Sequence, residues 1–137
     1  MIDQAGLVDD LVRLVECESP SGDLEALARC ADLVAELGSR HLGRPAQTVA
    51  VDGRRHLRWR LGSGGGEVLI LTHYDTVWPL GSLERHPCQI DHRDGRAVLT
   101  GPGCFDMKAG LAMAWRALAG LDPPPGRGVT LLATADE

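Results

Sequence analysis

The sequence predicts a mixed α/β domain, a largely parallel central sheet flanked by helices, and three observations carry that prediction. Amphipathic helical segments come before any strand. Two runs, Val68-Leu69-Ile70-Leu71-Thr72 and Val129-Thr130-Leu131-Leu132-Ala133-Thr134-Ala135, are apolar at consecutive positions, and a helical segment lies between them. Consecutive apolarity is how a strand buried on both faces reads, and such strands joined through a helix imply parallel pairing, here decorated by antiparallel pairs.

Taken in order, Leu7, Val8, Leu11, Leu14 and Val15 recur at helical spacing, which predicts an amphipathic helix from Leu7 to Glu16. Ser19-Pro20-Ser21-Gly22 breaks it. Asp23 is placed to cap a second helix through Leu24, Leu27, Ala28, Ala31, Val34 and Leu37, with Glu25 in the favourable first turn and Gly38 as the stop. Strands Gln47 to Val51 and Arg55 to Leu61 flank Asp52-Gly53, a strong hairpin signal. Alternation in the second places Leu57, Trp59 and Leu61 on a core and His56, Arg58 and Arg60 in water, so the basic cluster from Arg54 to Arg60 reads as a solvated strand face rather than a ligand patch. Gly62-Ser63-Gly64-Gly65-Gly66 lacks a following Lys-Ser/Thr and opens no helix, which makes it a flexible connection and no phosphate cradle. After a polar connection from Thr76 to Pro87, Cys88 to Asp91 and Ala97 to Thr100 form a second hairpin turned at Arg93-Asp94-Gly95-Arg96. Gly101-Pro102-Gly103 leads into a helix from about Met107 to Leu118 with Leu111, Trp115 and Leu118 on one face. Pro123-Pro124-Pro125-Gly126 ends that segment before the last strand.

With 137 residues the chain has room for one domain, or part of one, and not for two ordinary ones. A hydrophobic fraction of 44% with 24% charged residues excludes disorder and fibrous repeats. A net charge of −5 argues against nucleic-acid binding, which needs a cationic face. No apolar run approaches the roughly 18 residues that span a bilayer, so no membrane partner is expected. The opening Met1-Ile2-Asp3-Gln4 lacks the basic start of a secretory signal, which makes the expected location cytoplasmic. Cys17, Cys30, Cys88 and Cys104 show no C-x-x-C pairing, so a zinc ribbon, a redox motif and a disulfide framework are all disfavoured. Lys108 is the sole lysine among fourteen basic residues, which draws attention to the Asp-Met-Lys stretch that holds it.

The chemistry gathers at strand ends, where the working groups of open α/β sheets collect. His73 and Asp75 follow the first apolar run; two apart, they point to the same side, so an imidazole and a carboxylate can meet. His73 would be a metal ligand and Asp75 the group that fixes its tautomer, although a structural His–Asp pair has the same signature. Asp106, just before a helix, would ordinarily cap it; the preceding glycine-proline-glycine turn instead suits a carboxylate bridging two cations about 3.5–4 Å apart. Glu137, at the end of the last strand, is placed to take a proton from an attacking water, or is simply an acidic strand terminus.

In order and spacing, His73-Tyr74-Asp75-Thr76-Val77, then Gly101-Pro102-Gly103 leading to Asp106-Met107-Lys108, then Thr134-Ala135-Asp136-Glu137 resemble the cocatalytic zinc metallopeptidases that include glutamate carboxypeptidase, acetylornithine deacetylase and succinyl-diaminopimelate desuccinylase. The resemblance runs from the first helix to the last residue. Thr76-Val77-Trp78-Pro79-Leu80-Gly81 leans to the glutamate carboxypeptidase branch. It implies a two-zinc site, with Co2+ or Mn2+ as alternatives, in which His73 binds one zinc, Asp106 bridges both, Asp75 holds the His73 ring and Glu137 is the general base. It implies hydrolysis of the amide bond to an amino acid in a small peptide or N-acyl amino acid, and a homodimer when complete. It further implies that residues 1–137 are the N-terminal part of one catalytic domain, whose second acidic residue after Glu137, further metal ligands and lid or dimerisation domain belong to later sequence. On that basis the chain alone should bind metal weakly and turn nothing over, and its last strand should present an open apolar edge. The alternative is a non-catalytic remnant with at most a binding or assembly role. A nucleotide-binding module is disfavoured by the missing glycine fingerprint.

Overall fold

Asp3 opens the first helix, α1 (Gln4–Glu16), by accepting the Gly6 N–H at 3.2 Å. It is also the first residue that the computed structural model describes; the described residues are 3–63, 67–121 and 128–137. Gly64 to Gly66 of the expected flexible connection and the Pro123 to Gly126 stop lie outside them. Asp23 caps α2 (Leu24–Leu42) through the Ala26 N–H at 2.9 Å, as expected, but the helix runs past Gly38. Its stop is Gly43, in the left-handed region at φ 66°. Gly38 lies inside the helix against β2, where a Cβ would come within 2.5 Å of the Trp59 indole. The glycine permits close approach rather than termination.

The strands β1 (Gln47–Val51) and β2 (Arg54–Leu61) pair antiparallel across Asp52 and Gly53, both left-handed, the conformation of a tight two-residue hairpin. β2 also pairs antiparallel with β6 (Gly128–Thr134), and β6 pairs parallel with β3 (Glu67–His73), which gives the order β1-β2-β6-β3. The mixed α/β class holds, but the sheet is not largely parallel: β1–β2 and β2–β6 are antiparallel, and the parallel pairing is β3–β6, because a hairpin and not a further crossover supplies the other two strands. β4 (Gln89–Arg93) and β5 (Arg96–Thr100) form a separate hairpin turned at Asp94-Gly95. A wide helical turn, Cys104–Lys108, leads into α3 (Ala109–Ala119).

One face of the sheet meets the helices. Leu57, Trp59, Leu131 and Ala133 are buried there with Leu27, Val34, Leu37, Leu111 and Trp115, and Trp59 meets Trp115 edge-on with ring centroids 6.1 Å apart. Three expectations give way. β3 is not buried on both faces: it is the outer strand, and Leu69 and Leu71 are each 60% exposed because alternation turns them away from the helices. β6, conversely, is flanked by β2 and β3, so the open apolar edge belongs to β3 and not to the last strand. His56 does not face water; it is buried, and its Nδ1 accepts the Ala135 N–H at 3.3 Å. All four cysteines are free thiols. No helix among the described residues is long and apolar enough to cross a membrane.

Candidate metal centre

β3 delivers His73 to the carboxyl end of the sheet opposite Thr134 of β6, and the ladder continues one step further through the Tyr74 N–H donating to the Thr134 carbonyl at 3.0 Å. That extra step decides the side to which each neighbouring residue turns. Tyr74 turns to the far side, where its hydroxyl donates to the Arg55 carbonyl at 2.6 Å and burial pushes its pKa up. His73 and Asp75 therefore share the near side, and both are buried, Asp75 to 1% exposure. Asp106 arrives from the turn after β5. That turn needs Gly103, left-handed at φ 70° and so close to the Thr76 side chain that any Cβ would collide with it. Asp106 does not cap α3: its backbone is extended, with φ −120° and ψ 96°, and the residue preceding the helix, Lys108, makes no side-chain cap.

The imidazole joins these groups. Its Nδ1 lies 3.0 Å from the Asp75 backbone carbonyl and 3.5 Å from the Asp75 carboxylate, whereas its Nε2 lies 2.9 Å from Asp106 Oδ1 and 3.5 Å from Glu137 Oε2. Asp75 thus faces Nδ1 with two oxygens, one of them its own carbonyl, and both favour a proton on that nitrogen. The Nε2 lone pair is then aimed at the two exposed carboxylates. One ligand atom each from His73, Asp106 and Glu137 falls within 4.8 Å of the others. Neighbouring donors of a cation bound at 2.0–2.1 Å stand about 3.4 Å apart, and the 2.9 Å between His73 Nε2 and Asp106 Oδ1 lies near that separation. An imidazole nitrogen and a carboxylate oxygen are donor types that zinc takes at catalytic sites, so His73 and Asp106 fit a divalent cation, with the Glu137 carboxylate beside them in the position of a base. A cavity of about 270 Å³ opens over them, walled by Val77, Trp78 and Phe105.

Lys108, singled out as the sole lysine, is not in the cavity. It is buried beneath, with its Nζ donating to the carbonyls of Leu14 at 2.8 Å and Cys17 at 2.7 Å, and burial lowers its pKa. It ties the Asp106 turn to the end of α1. The sequence pattern gave no sign of Ser21 as a site residue, yet its Oγ lies 2.5 Å from Asp75 Oδ2. Its only local signal was a helix break, because its partner is 54 residues away.

The sequence profile of peptidase family M20/M25/M40 matches residues 69–137. Carboxypeptidase G2 of Pseudomonas sp. (strain RS-16) is 32% identical over 116 residues, covering 81% of this chain and 26% of that protein. The chain thus spans about a quarter of the length of this curated relative. Among solved structures, the M20 family metallo-carboxypeptidase Sso-CP2 from Sulfolobus solfataricus matches with a TM-score of 0.72 at 19% identity, over 96% of this chain and 30% of that one. Human carnosine dipeptidase 1 matches with a TM-score of 0.69 at 20% identity, over 96% and 32% of the respective chains. At those identities the structural likenesses establish the shared fold.

Proposed function

Because this chain belongs to peptidase family M20/M25/M40, we propose that it is the N-terminal portion of a metal-dependent hydrolase that cleaves the amide bond to an amino acid. The observation that carries this reading is the convergence of His73, Asp106 and Glu137 within 4.8 Å from three distant stretches of sequence. The complete site holds two zinc ions. Its substrates are small peptides or N-acyl amino acids, and the complete protein is a cytoplasmic carboxypeptidase or deacylase that works as a homodimer, with its lid or dimerisation domain and remaining ligands outside residues 1–137. The whole-protein part of this proposal rests on relatives several times longer than the chain.

When bound, a divalent cation supplies Lewis-acid polarisation of the scissile carbonyl and a lowered pKa for water. The residues do the rest. His73 binds through Nε2, with Nδ1 held by Asp75. Asp106, exposed on the cavity rim with its Oδ1 beside His73 Nε2, would be the carboxylate shared between two cations. Glu137 takes a proton from the attacking water and returns it to the leaving amine, the role of a carboxylate within reach of both. Val77 and Phe105, exposed beside the cavity, offer apolar surface to the substrate or to a covering segment.

Residues 1–137 alone supply few ligands, so they bind Zn2+ or Co2+ weakly and without turnover. Titration calorimetry with Co2+ should detect that binding, and His73→Ala or Asp106→Ala should remove it. In a protein that carries the remaining sequence, Glu137→Gln should abolish hydrolysis while zinc content by elemental analysis is retained. Hydrolysis that survives Glu137→Gln would refute the general-base role, and a wild-type chain whose metal uptake ignores His73 and Asp106 would refute the site.

A further inference from the structure

We propose that Ser21 is a positioning residue for this site: its hydroxyl fixes the Asp75 carboxylate in the orientation from which Asp75 supports the His73 ring. The inference rests on reading His73 as the metal ligand.

Asp75 is 1% exposed, and a carboxylate so buried must find its donors within the protein. Its Oδ2 accepts from Ser21 Oγ at 2.5 Å and from the Glu137 N–H at 3.2 Å, and its Oδ1 stands 3.5 Å from His73 Nδ1. The Ser21 contact is much the shortest, in the range of an O–H donating to an ionised carboxylate. The hydroxyl has one proton and a second candidate acceptor, the Thr76 carbonyl at 3.2 Å, and the distances assign that proton to Asp75. The other donor, Glu137, is exposed, so Ser21 is the firm side of the clasp.

Ser21 is itself held from every direction. The Thr76 N–H donates to the Ser19 carbonyl at 2.8 Å and the Ser21 N–H to the Thr76 carbonyl at 3.0 Å, forming a short parallel bridge across Pro20. Ser19 Oγ donates to the Tyr74 carbonyl at 2.7 Å, and Arg54 Nη2 donates to the Ser21 carbonyl at 3.0 Å. The segment between α1 and α2 is thus stitched along Tyr74-Asp75-Thr76, which is the support a precisely oriented site group needs. Without the hydroxyl, only the Glu137 N–H, 3.3 Å from Oδ1 and 3.2 Å from Oδ2, holds the carboxylate against turning about its terminal torsion, and His73 Nδ1 loses a firmly fixed partner.

The decisive measurement is made on the metal-free chain at one fixed pH, by long-range 1H–15N correlation of the His73 ring. At a pH where the ring is neutral, wild type should show an excess of the tautomer protonated at Nδ1, which faces two Asp75 oxygens, over the one protonated at Nε2, which faces Asp106 Oδ1 at 2.9 Å. Ser21→Ala should show a smaller excess, Ser21→Cys, of similar shape but a weak donor, should shift the same way, and Ser21→Thr should restore the wild-type pattern. Co2+ titration followed by visible absorption gives the second readout. Ser21→Ala should weaken affinity about tenfold, the low end of the roughly 10–100-fold effect of losing a ligand's support. In an Asp75→Asn background the same change should cost nothing further. An unaltered ring spectrum in Ser21→Ala and Ser21→Cys overturns the proposal, as does a loss of affinity undiminished by Asp75→Asn. If the wild-type chain takes up no Co2+ that His73→Ala removes, the hydrolase reading fails instead, and the ring spectrum alone decides the role of Ser21.

Discussion

Two of the histidine–aspartate constellations among the described residues, one among the helices around Asp10 and one around His73 at the sheet end, close their charge differently. Asp10 of α1 is 3% exposed, and its carboxylate is met by Arg40 at 2.6 Å, Arg116 at 2.7 Å and His41 at 2.7 Å. Both oxygens thus have cationic or hydrogen-bonding partners, Arg40 on Oδ1 and Arg116 with His41 on Oδ2, and His41 stacks on Trp115. At the sheet end, Asp75, Asp106 and Glu137 surround a single imidazole, and no arginine or lysine pairs with them among the described residues. Arg54 comes nearest in the hydrogen-bond network and spends its guanidinium on the Ser21 carbonyl; Lys108 spends its ammonium on carbonyls of α1 and the residue after it. A cluster that is balanced by the protein's own cations holds helices together. A cluster left with excess acid at a cavity is one that a metal cation can complete.

The comparison breaks most visibly at Asp10. Asp10→Ala leaves Arg116 and His41 without their shared acceptor between the helices. It should cost about 3 kcal/mol, the lower end for breaking a buried pair, since Arg40 keeps half its surface in water. Urea denaturation should show this as a lower midpoint at an unchanged slope.

A smaller effect comes from pH. Burial alone would raise the Asp10 pKa, but the hydrogen bonds from Arg116 and His41 outweigh it and leave the carboxyl below its ordinary 3.8. A folded-state pKa depressed in this way means that the native state resists protonation more than the unfolded one does. The contribution is therefore fully present above the unfolded value and drains away as pH falls through the folded value. Stability measured downward from about pH 5 should decline below 3.8, and the decline should flatten in Asp10→Asn. A wild-type acid limb identical to that of the variant would mean that the three partners do not hold the charge.

How much of the fold and the site is legible in the sequence varies with the range of the interaction involved. Asp23 as a cap and Asp52-Gly53 as a turn are readable because each acts on neighbours within a few residues. The acid-rich cluster is readable because strand ends in an α/β sheet converge. The two apolar runs are not distinguishable: β6 and β3 have the same signature, yet one is central and the other is an edge with Leu69 and Leu71 exposed. Sequence records the hydrophobicity of a strand and not its neighbours. His56 falls on the solvent side by alternation alone, and the amide that buries it comes from Ala135, 79 residues away. Comparable distances in sequence hide the Arg116–Asp10 pair and the Ser21–Asp75 contact.

The smallest expected effect sharpens the comparison from the other side. Asp106 is an acid like Asp10, but its side chain is 74% exposed and its one close partner is the His73 Nε2. In EDTA, Asp106→Asn should change stability by no more than about 0.5 kcal/mol, the usual range for a surface position. With Co2+ in excess the variant should differ, because a ligand that binds only the folded state stabilises it by about 2.7 kcal/mol at one hundred times its Kd, and a neutral amide forfeits most of that affinity. The thermal midpoint in EDTA should therefore leave wild type and Asp106→Asn together, and Co2+ should separate them. A variant that melts early in EDTA, as Asp10→Ala should, would place Asp106 among the structural acids and remove the charge imbalance on which the metal centre rests.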